Sequence, residues 1–94
     1  MGYHKRMKIE SKKQIQNRLR RIEGQIRGLQ KLVEEDTYCI DVITQTSAIK
    51  SALSGVEDIL LENHLDTCAS DQIKAGNVTK AKQEILAVYR LKRK

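Results

Sequence analysis

The chain has 94 residues, a net charge of +6 and no Phe, Trp or Pro, which suits one small domain over residues 1–94 with a basic arm at residues 1–10. It contains no apolar run of about 18 residues, so we expect no transmembrane helix, and its basic start lacks the apolar stretch of a secretory signal. Two cysteines in a chain without such a signal predict free thiols in the reducing cytoplasm.

The charged residues are segregated along the chain. Residues 1–31 carry ten Lys and Arg against two acids, residues 32–73 carry one Lys against nine acids, and residues 74–94 carry seven Lys and Arg against one acid. A basic surface attracts polyanions. The pattern therefore favours a nucleic acid partner, with an ordinary solvated helix surface as the alternative.

The first predicted helix begins at Ser11, because Ser11 and Gln14 have the spacing of a capping box. Gly24 and Gly28 lie one turn apart on it, which indicates the close approach of another helix or of a DNA backbone. An apolar seam follows this helix at alternating steps of four and three residues, the pattern of a heptad. Its members are Ile15, Leu19, Ile22, Ile26, Leu29 and Val33.

The second predicted helix begins at Asp36 or Thr37, both good N-cap residues, and continues to about Cys68 or as far as Lys74. Its seam has the same alternation and comprises Val42, Thr46, Ile49, Leu53, Val56 and Leu60.

Gly76 and Asn77 predict the end of the second helix and the N-cap of a third. The apolar residues of the third helix are Ile85, Val88, Tyr89 and Leu91. Since the chain has no strand-like alternation, the predicted fold is all-α, with three helices per protomer.

The predicted helix lengths bear on assembly. A helix of 30 residues is about 45 Å long, whereas a compact chain of this size has a radius of gyration of about 12 Å. One short third helix cannot cover two long ones. We therefore predict that helices 1 and 2 of two protomers form an antiparallel four-helix bundle.

Three residues are candidate metal ligands: Cys39, His64 and Cys68. Two thiolates and an imidazole suit Cu(I) or Zn(II), and Cu(I) accepts three ligands, whereas a closed zinc site needs a fourth, for which His4 is a candidate. The alternative is that these residues are a small buried hydrophobe, a core histidine and a surface thiol.

The spacing of the candidate ligands predicts a site shared between chains. Cys39 precedes His64 by 25 residues, about 37 Å along one helix. An antiparallel dimer would bring Cys39 of one protomer to His64 and Cys68 of the other, forming two sites.

Two stretches carry a family resemblance: NRLRRIEGQIRGLQKLVEEDTYCIDVITQTSAIKSAL and ENHLDTC. Over residues from about 11 to 92 the chain resembles the CsoR/RcnR group of small all-helical bacterial repressors. The resemblance implies a tetramer built as a dimer of dimers. It also implies that the ligand-free form binds operator DNA and that an inducer releases it. The sequence shows no constellation of a general base and a nucleophile, so we expect no enzyme activity.

The resemblance also distinguishes subgroups. Copper sensors of this group use Cys, His and Cys, which Cys39, His64 and Cys68 match, so the implied inducer is Cu(I) and the implied target is copper-efflux genes. Nickel and cobalt sensors resemble this set but have histidine where Cys68 stands. Persulfide-responsive members keep both cysteines and lack the histidine, and a thiol-responsive repressor using Cys39 and Cys68 is the alternative.

The resemblance places two further residues, Tyr38 and Glu84, around the ligating histidine. An oxygen partner for the second ring nitrogen would orient that histidine. Gly55 stands where some copper sensors carry an arginine on the second helix. The DNA contacts are therefore assigned to other basic residues, which are Arg18, Arg21, Lys50, Lys12 and Lys13.

Overall fold

The computed structural model describes residues 7–93, which form helices joined by tight turns, so the all-α prediction is confirmed. His4, the candidate fourth ligand, lies outside the described residues. The helical elements are α1 (Ile9–Glu34), α2 (Cys39–His64), a π-helical turn (Leu65–Ala69), α3 (Ser70–Lys74) and α4 (Val78–Arg93). Because α2, the π turn and α3 follow one another without a break, residues 7–93 form three helical segments. Within residues 7–93, no helix combines the length and apolar character needed to span a membrane.

The first helix begins earlier than its capping box predicts. α1 starts at Ile9, its N-cap is Lys8, and no side-chain hydrogen bond caps it, so the predicted N-cap, Ser11 of the capping box, is wrong by three residues. The backbone N–H of Lys8 donates to Oδ1 of Asn63 at 3.1 Å, near the far end of α2. This tertiary contact satisfies one of the backbone donors at the start of the helix.

The second helix begins later than predicted, because the turn before it belongs to the end of α1. Asp36 adopts a left-handed conformation with φ of 55°, and the N–H of Thr37 donates to the carbonyl of Leu32 at 3.0 Å. These are features of a Schellman motif, with Asp36 where glycine is usual. Asp36 and Thr37 therefore end α1, and α2 starts at Cys39 after its N-cap, Tyr38.

Half of each predicted seam forms the core between α1 and α2. Ile15 and Ile22 of α1 are buried against Ile49 and Val56 of α2. The two residues from each helix are seven apart, so they repeat once in every heptad. The connection of residues 35–38 is short, and the helices consequently pack antiparallel.

The other half of each seam faces outward in the single chain. These residues form what we call the apolar ridge, and between 39% and 61% of each one's surface is exposed. The ridge consists of Leu19, Ile26, Val33, Leu53 and Leu60. The radius of gyration is 17.3 Å, whereas a compact chain of this length has about 12 Å. The single chain is thus elongated and leaves uncovered a face that a second chain could bury.

The last helix returns along α2, as the predicted turn requires. Gly76 has φ of 87°, and the N–H of Asn77 donates to the carbonyl of Gln72 at 2.7 Å, which completes a second Schellman motif. Near the other end of α4, Nζ of Lys92 lies 3.0 Å from Oδ1 of Asp58 and 3.0 Å from Oγ of Ser54. Lys92 therefore fastens the end of α4 to the middle of α2.

This attachment predicts a pH-dependent contribution to stability. Hydrogen bonds and ion pairs with Asp58 and Glu57 raise the pKa of Lys92 above its ordinary value of 10.5. A lysine whose pKa is higher in the folded than in the unfolded protein stabilises the fold. This contribution is complete at pH values below the unfolded-state pKa, and it is lost as the pH rises through the folded-state pKa. We expect Lys92→Met to lower the urea midpoint at about pH 8, with the difference from wild type shrinking by about pH 11.5.

The matched control is Lys82→Met, at an exposed position of the same helix. We expect it to leave the midpoint nearly unchanged at both pH values. A loss of stability in Lys92→Met that is equally large at high pH would show that packing, and not the charge, is responsible.

Candidate metal site

Two of the three candidate ligands line one cavity. His64 ends α2, and Cys68 lies in the π turn that follows. Both side chains border a cavity of about 570 Å³ between this end of α2 and α4. Cys68 is buried, and the side chain of His64 is 30% exposed. The apolar part of the lining is formed by Leu60, Leu61, Ile85, Ala87, Val88 and Leu91.

The helix between these two residues is not an ordinary α-helix. The segment Leu65–Ala69 is a π turn, where the sequence pattern predicts that the second helix simply continues past His64. Hydroxyl groups support the turn: Oγ1 of Thr67 donates to the carbonyl of Asn63 at 2.8 Å. Such π turns are single insertions that occur frequently at functional sites. The insertion changes the register, and both donors still reach the same cavity.

A carboxylate from α4 lies beside the histidine. Oε2 of Glu84 is 3.2 Å from Nε2 of His64, an ion-pair distance without the angle of a hydrogen bond. Because Nε2 is buried and faces this carboxylate, Nδ1 is the ring nitrogen left for a ligand. Oε1 of Glu84 accepts a hydrogen bond of 3.3 Å from Nε2 of Gln72, a residue that the sequence patterns did not single out.

Cys39 lies at the opposite end of α2. It is exposed, both cysteines are free thiols, and a separate hollow of about 370 Å³ borders Cys39. The 25 residues between Cys39 and His64 correspond to about 37 Å of helix. Tyr38, 71% exposed, is at the same far end. Within residues 7–93 of a single chain, no three His, Cys, Asp or Glu residues form a cluster that could hold a metal.

The donor set is nevertheless chemically suited to a soft metal. His64 and Cys68, a nitrogen and a sulfur donor, both line one cavity, and Cys39 offers a second sulfur at an exposed position. Thiolate and imidazole donors favour Cu(I) or Zn(II) over hard cations. One chain supplies two donors at this cavity, and a third donor would have to come from a neighbouring chain.

The basic residues assigned to DNA are all exposed. They are Lys12, Lys13, Arg18 and Arg21 on α1 and Lys50 on α2. The guanidinium of Arg18 extends over α2, since a Cβ placed on Gly55 would lie 3.3 Å from Nη1 of Arg18. A larger side chain at position 55 would displace this guanidinium. The absence of a side chain at Gly55 thus leaves room for a positive charge supplied by α1.

Comparison with known proteins identifies the family. The family described as metal-sensitive transcriptional repressor matches residues 11–91. The chain is 46% identical over 90 residues to the copper-sensing transcriptional repressor CsoR of Bacillus subtilis (strain 168), covering 93% of this chain and 89% of that protein. It is 48% identical over 67 residues to the copper-sensing transcriptional repressor RicR of Mycobacterium tuberculosis, covering 71% and 70%.

Two solved structures have the same fold. The crystal structure of the copper-sensing repressor CsoR with Cu(I) from Geobacillus thermodenitrificans NG80-2 superposes with a TM-score of 0.86 at 40% identity, covering 99% of this chain and 97% of that one. The nickel-responsive transcriptional regulator InrS superposes with a TM-score of 0.70 at 30% identity, covering 93% and 94%. The chain therefore belongs to the CsoR/RcnR family of metal-sensitive transcriptional repressors.

Proposed function

We propose that this protein is a Cu(I)-responsive transcriptional repressor, which binds operator DNA without copper and releases it when copper binds. The supporting observation is the donor set: His64 and Cys68 share one cavity, and Cys39 is a free, exposed thiol. Relatives at 46% and 48% identity are copper-sensing repressors. The regulated genes would be those of copper efflux, and the site of action would be the cytoplasm.

The proposed ligands come from two chains. Cys39 of one protomer joins His64 and Cys68 of a second, and His64 binds through Nδ1 because Nε2 faces Glu84. Two thiolates and an imidazole provide Cu(I) with a three-coordinate site, which this soft ion accepts. Binding requires deprotonated thiols, so apparent copper affinity falls at low pH.

The proposed assembly is a dimer whose four-helix bundle is formed by α1 and α2 of both protomers, and two dimers form a tetramer. The apolar ridge supports this assembly, because its leucine and isoleucine side chains would be buried between the protomers. Each chain, residues 1–94, acts as one domain.

The proposed response depends on the connection between His64 and α4. Glu84 connects His64 to α4, so a change in the position of His64 would shift α4 as well. The basic surface binds DNA mainly through phosphate contacts, which makes the affinity strongly dependent on salt. Coupling between the two sites is reciprocal, so bound DNA must weaken copper binding by the same factor.

A titration tests the function directly. Fluorescence anisotropy of labelled operator DNA is measured with metal-free protein and then with Cu(I), Zn(II), Ni(II) or a persulfide donor. We expect Cu(I) to weaken DNA binding by about 5- to 150-fold, the usual range of allosteric coupling. Release by the persulfide donor alone would support the thiol-responsive alternative, and release by no agent would contradict a sensor of either kind.

The basic surface yields a separate prediction about DNA. We expect Arg18→Ala to weaken DNA binding about tenfold and to reduce the salt slope by about 1, because one phosphate is no longer neutralised, with unchanged copper affinity. Arg27→Ala is the control, because Arg27 lies on the same helix and its charge is already paired with Glu23 at 3.4 Å. Equally weakened DNA binding in both variants would show that only the net charge of the protein matters. It would contradict a specific contact between Arg18 and DNA.

A further inference from the structure

Glu84 divides its two carboxylate oxygens between two residues of another helical segment. Oε2 lies 3.2 Å from Nε2 of His64, and Oε1 accepts a hydrogen bond of 3.3 Å from Nε2 of Gln72. His64 is the last residue before the π turn Leu65–Ala69, and Gln72 follows that turn. A single carboxylate from α4 therefore spans the turn that contains Cys68.

Packing alone does not explain the glutamine at this position. Gln72 is 1% exposed, and among residues 7–93 its Oε1 has no hydrogen-bond partner. Buried polar atoms are nearly always paired, and an apolar side chain of similar size would fill the space without leaving an unpaired acceptor. The carbonyl of Gln72 accepts from the N–H of Asn77 in the turn before α4, an interaction that any side chain permits. What the amide provides specifically is its donor to Glu84.

We propose that Gln72 is a positioning residue that holds the Glu84 carboxylate against His64 across the π turn. This inference rests on the proposed function, and it adds to it a residue through which metal occupancy is transmitted to α4. The side chain of Glu84 is 38% exposed, so without the amide donor the carboxylate is free to turn toward solvent. His64 would then keep its place in the cavity and lose its connection to α4.

The test variant is Gln72→Met, which keeps the length of the side chain and removes the donor. We expect copper-free DNA affinity to stay within about threefold of wild type, and copper affinity to fall by no more than about tenfold, the lower end for partners of metal ligands. The factor by which Cu(I) weakens DNA binding should fall close to one, from the about 5- to 150-fold expected for wild type. Gln72→Ser is the second variant, for use if Gln72→Met folds poorly. It also lacks a donor that is long enough to reach Glu84, so it should lose the same coupling.

A readout without copper or DNA separates this inference from the proposed function. Nitrogen chemical shifts of His64 should show the Nε2–H tautomer in the metal-free wild type, because Nε2 faces Glu84, and a mixture of tautomers in Gln72→Met. Gln83→Met, at an exposed position next to Glu84, is the control and should match wild type in every measurement.

A double-mutant cycle completes the design. Because Gln72 is proposed to act through Glu84, Gln72→Met should have no further effect on coupling in a Glu84→Gln background. Full additivity of the two changes would overturn the proposal, as would wild-type tautomers and wild-type coupling in folded Gln72→Met. Failure of the wild type to respond to copper would instead count against the proposed function.

Discussion

Replacing Cys39 with alanine is expected to abolish high-affinity copper binding and to leave the affinity for operator DNA unchanged. The basic residues of α1 that are assigned to DNA lie in the first half of that helix, whereas Cys39 follows the end of α1. The side chain of Cys39 is exposed, so we expect its removal to leave the fold intact. Removing a residue that hydrogen-bonds to a metal ligand lowers metal affinity by about 10- to 100-fold. Removing a thiolate ligand itself should therefore lower it by more than about 100-fold. Competition with a Cu(I) chelator measures this.

Mixing two variants in one dimer tests whether the copper ligands come from two chains. Cys39→Ala keeps His64 and Cys68, whereas Cys68→Ala keeps Cys39, so a mixed dimer would contain one complete site if the ligands come from two chains. Random mixing of dimers should restore about one quarter of the wild-type sites. A site built within one chain would recover no high-affinity binding in the mixture. That result would contradict the shared site, whatever the behaviour of the single variants.

Leu53→Glu is expected to prevent assembly and to leave the chain largely unfolded. Leu53 belongs to the apolar ridge and is 42% exposed in the single chain. In the proposed bundle it is buried, and an uncompensated buried charge costs about 3–5 kcal/mol. Two such charges in each dimer are a large part of a total stability of about 5–15 kcal/mol. Sedimentation and circular dichroism as a function of concentration measure both effects.

Leu86→Glu is the matched control for Leu53→Glu. Leu86 is 41% exposed in the single chain, so the exposed fractions of the two leucines are nearly equal. Leu86 lies on α4 and outside the heptad seams, and we expect its replacement to preserve the dimer and most of the helix content. A folded monomer of wild type at micromolar concentration, or a folded dimer of Leu53→Glu, would contradict the proposed bundle.

The ends of the helices show where local sequence rules are insufficient. Asp36 takes the left-handed position usually occupied by glycine, so a residue that favours helix starts instead helps to end α1. At the other end of the same helix, the N–H of Lys8 is satisfied by Asn63, a residue 55 positions away. The contact of Lys8 lies outside any window of neighbouring residues, and at Asp36 residue type alone does not distinguish a helix start from a helix end.

The site shows the same division. The positions of His64 and Cys68 along the chain were sufficient to single them out as a pair, and the family resemblance pointed to Glu84. Gln72 carried no such signal, because its hydrogen bond joins residues 12 positions apart on different helices. The π turn was equally invisible, since its residues also suit an ordinary α-helix.

By itself the sequence determined the all-helical fold, the heptad seams and the set of soft donors, because side-chain periodicity and ligand chemistry are local properties. Only the tertiary structure decided which half of each seam is covered within the chain, since that depends on how α1 rotates against α2. It also decided that Glu84 contacts His64 and Gln72 on the two sides of the π turn. These are consequences of how the rigid helices pack against one another, which no short stretch of residues specifies.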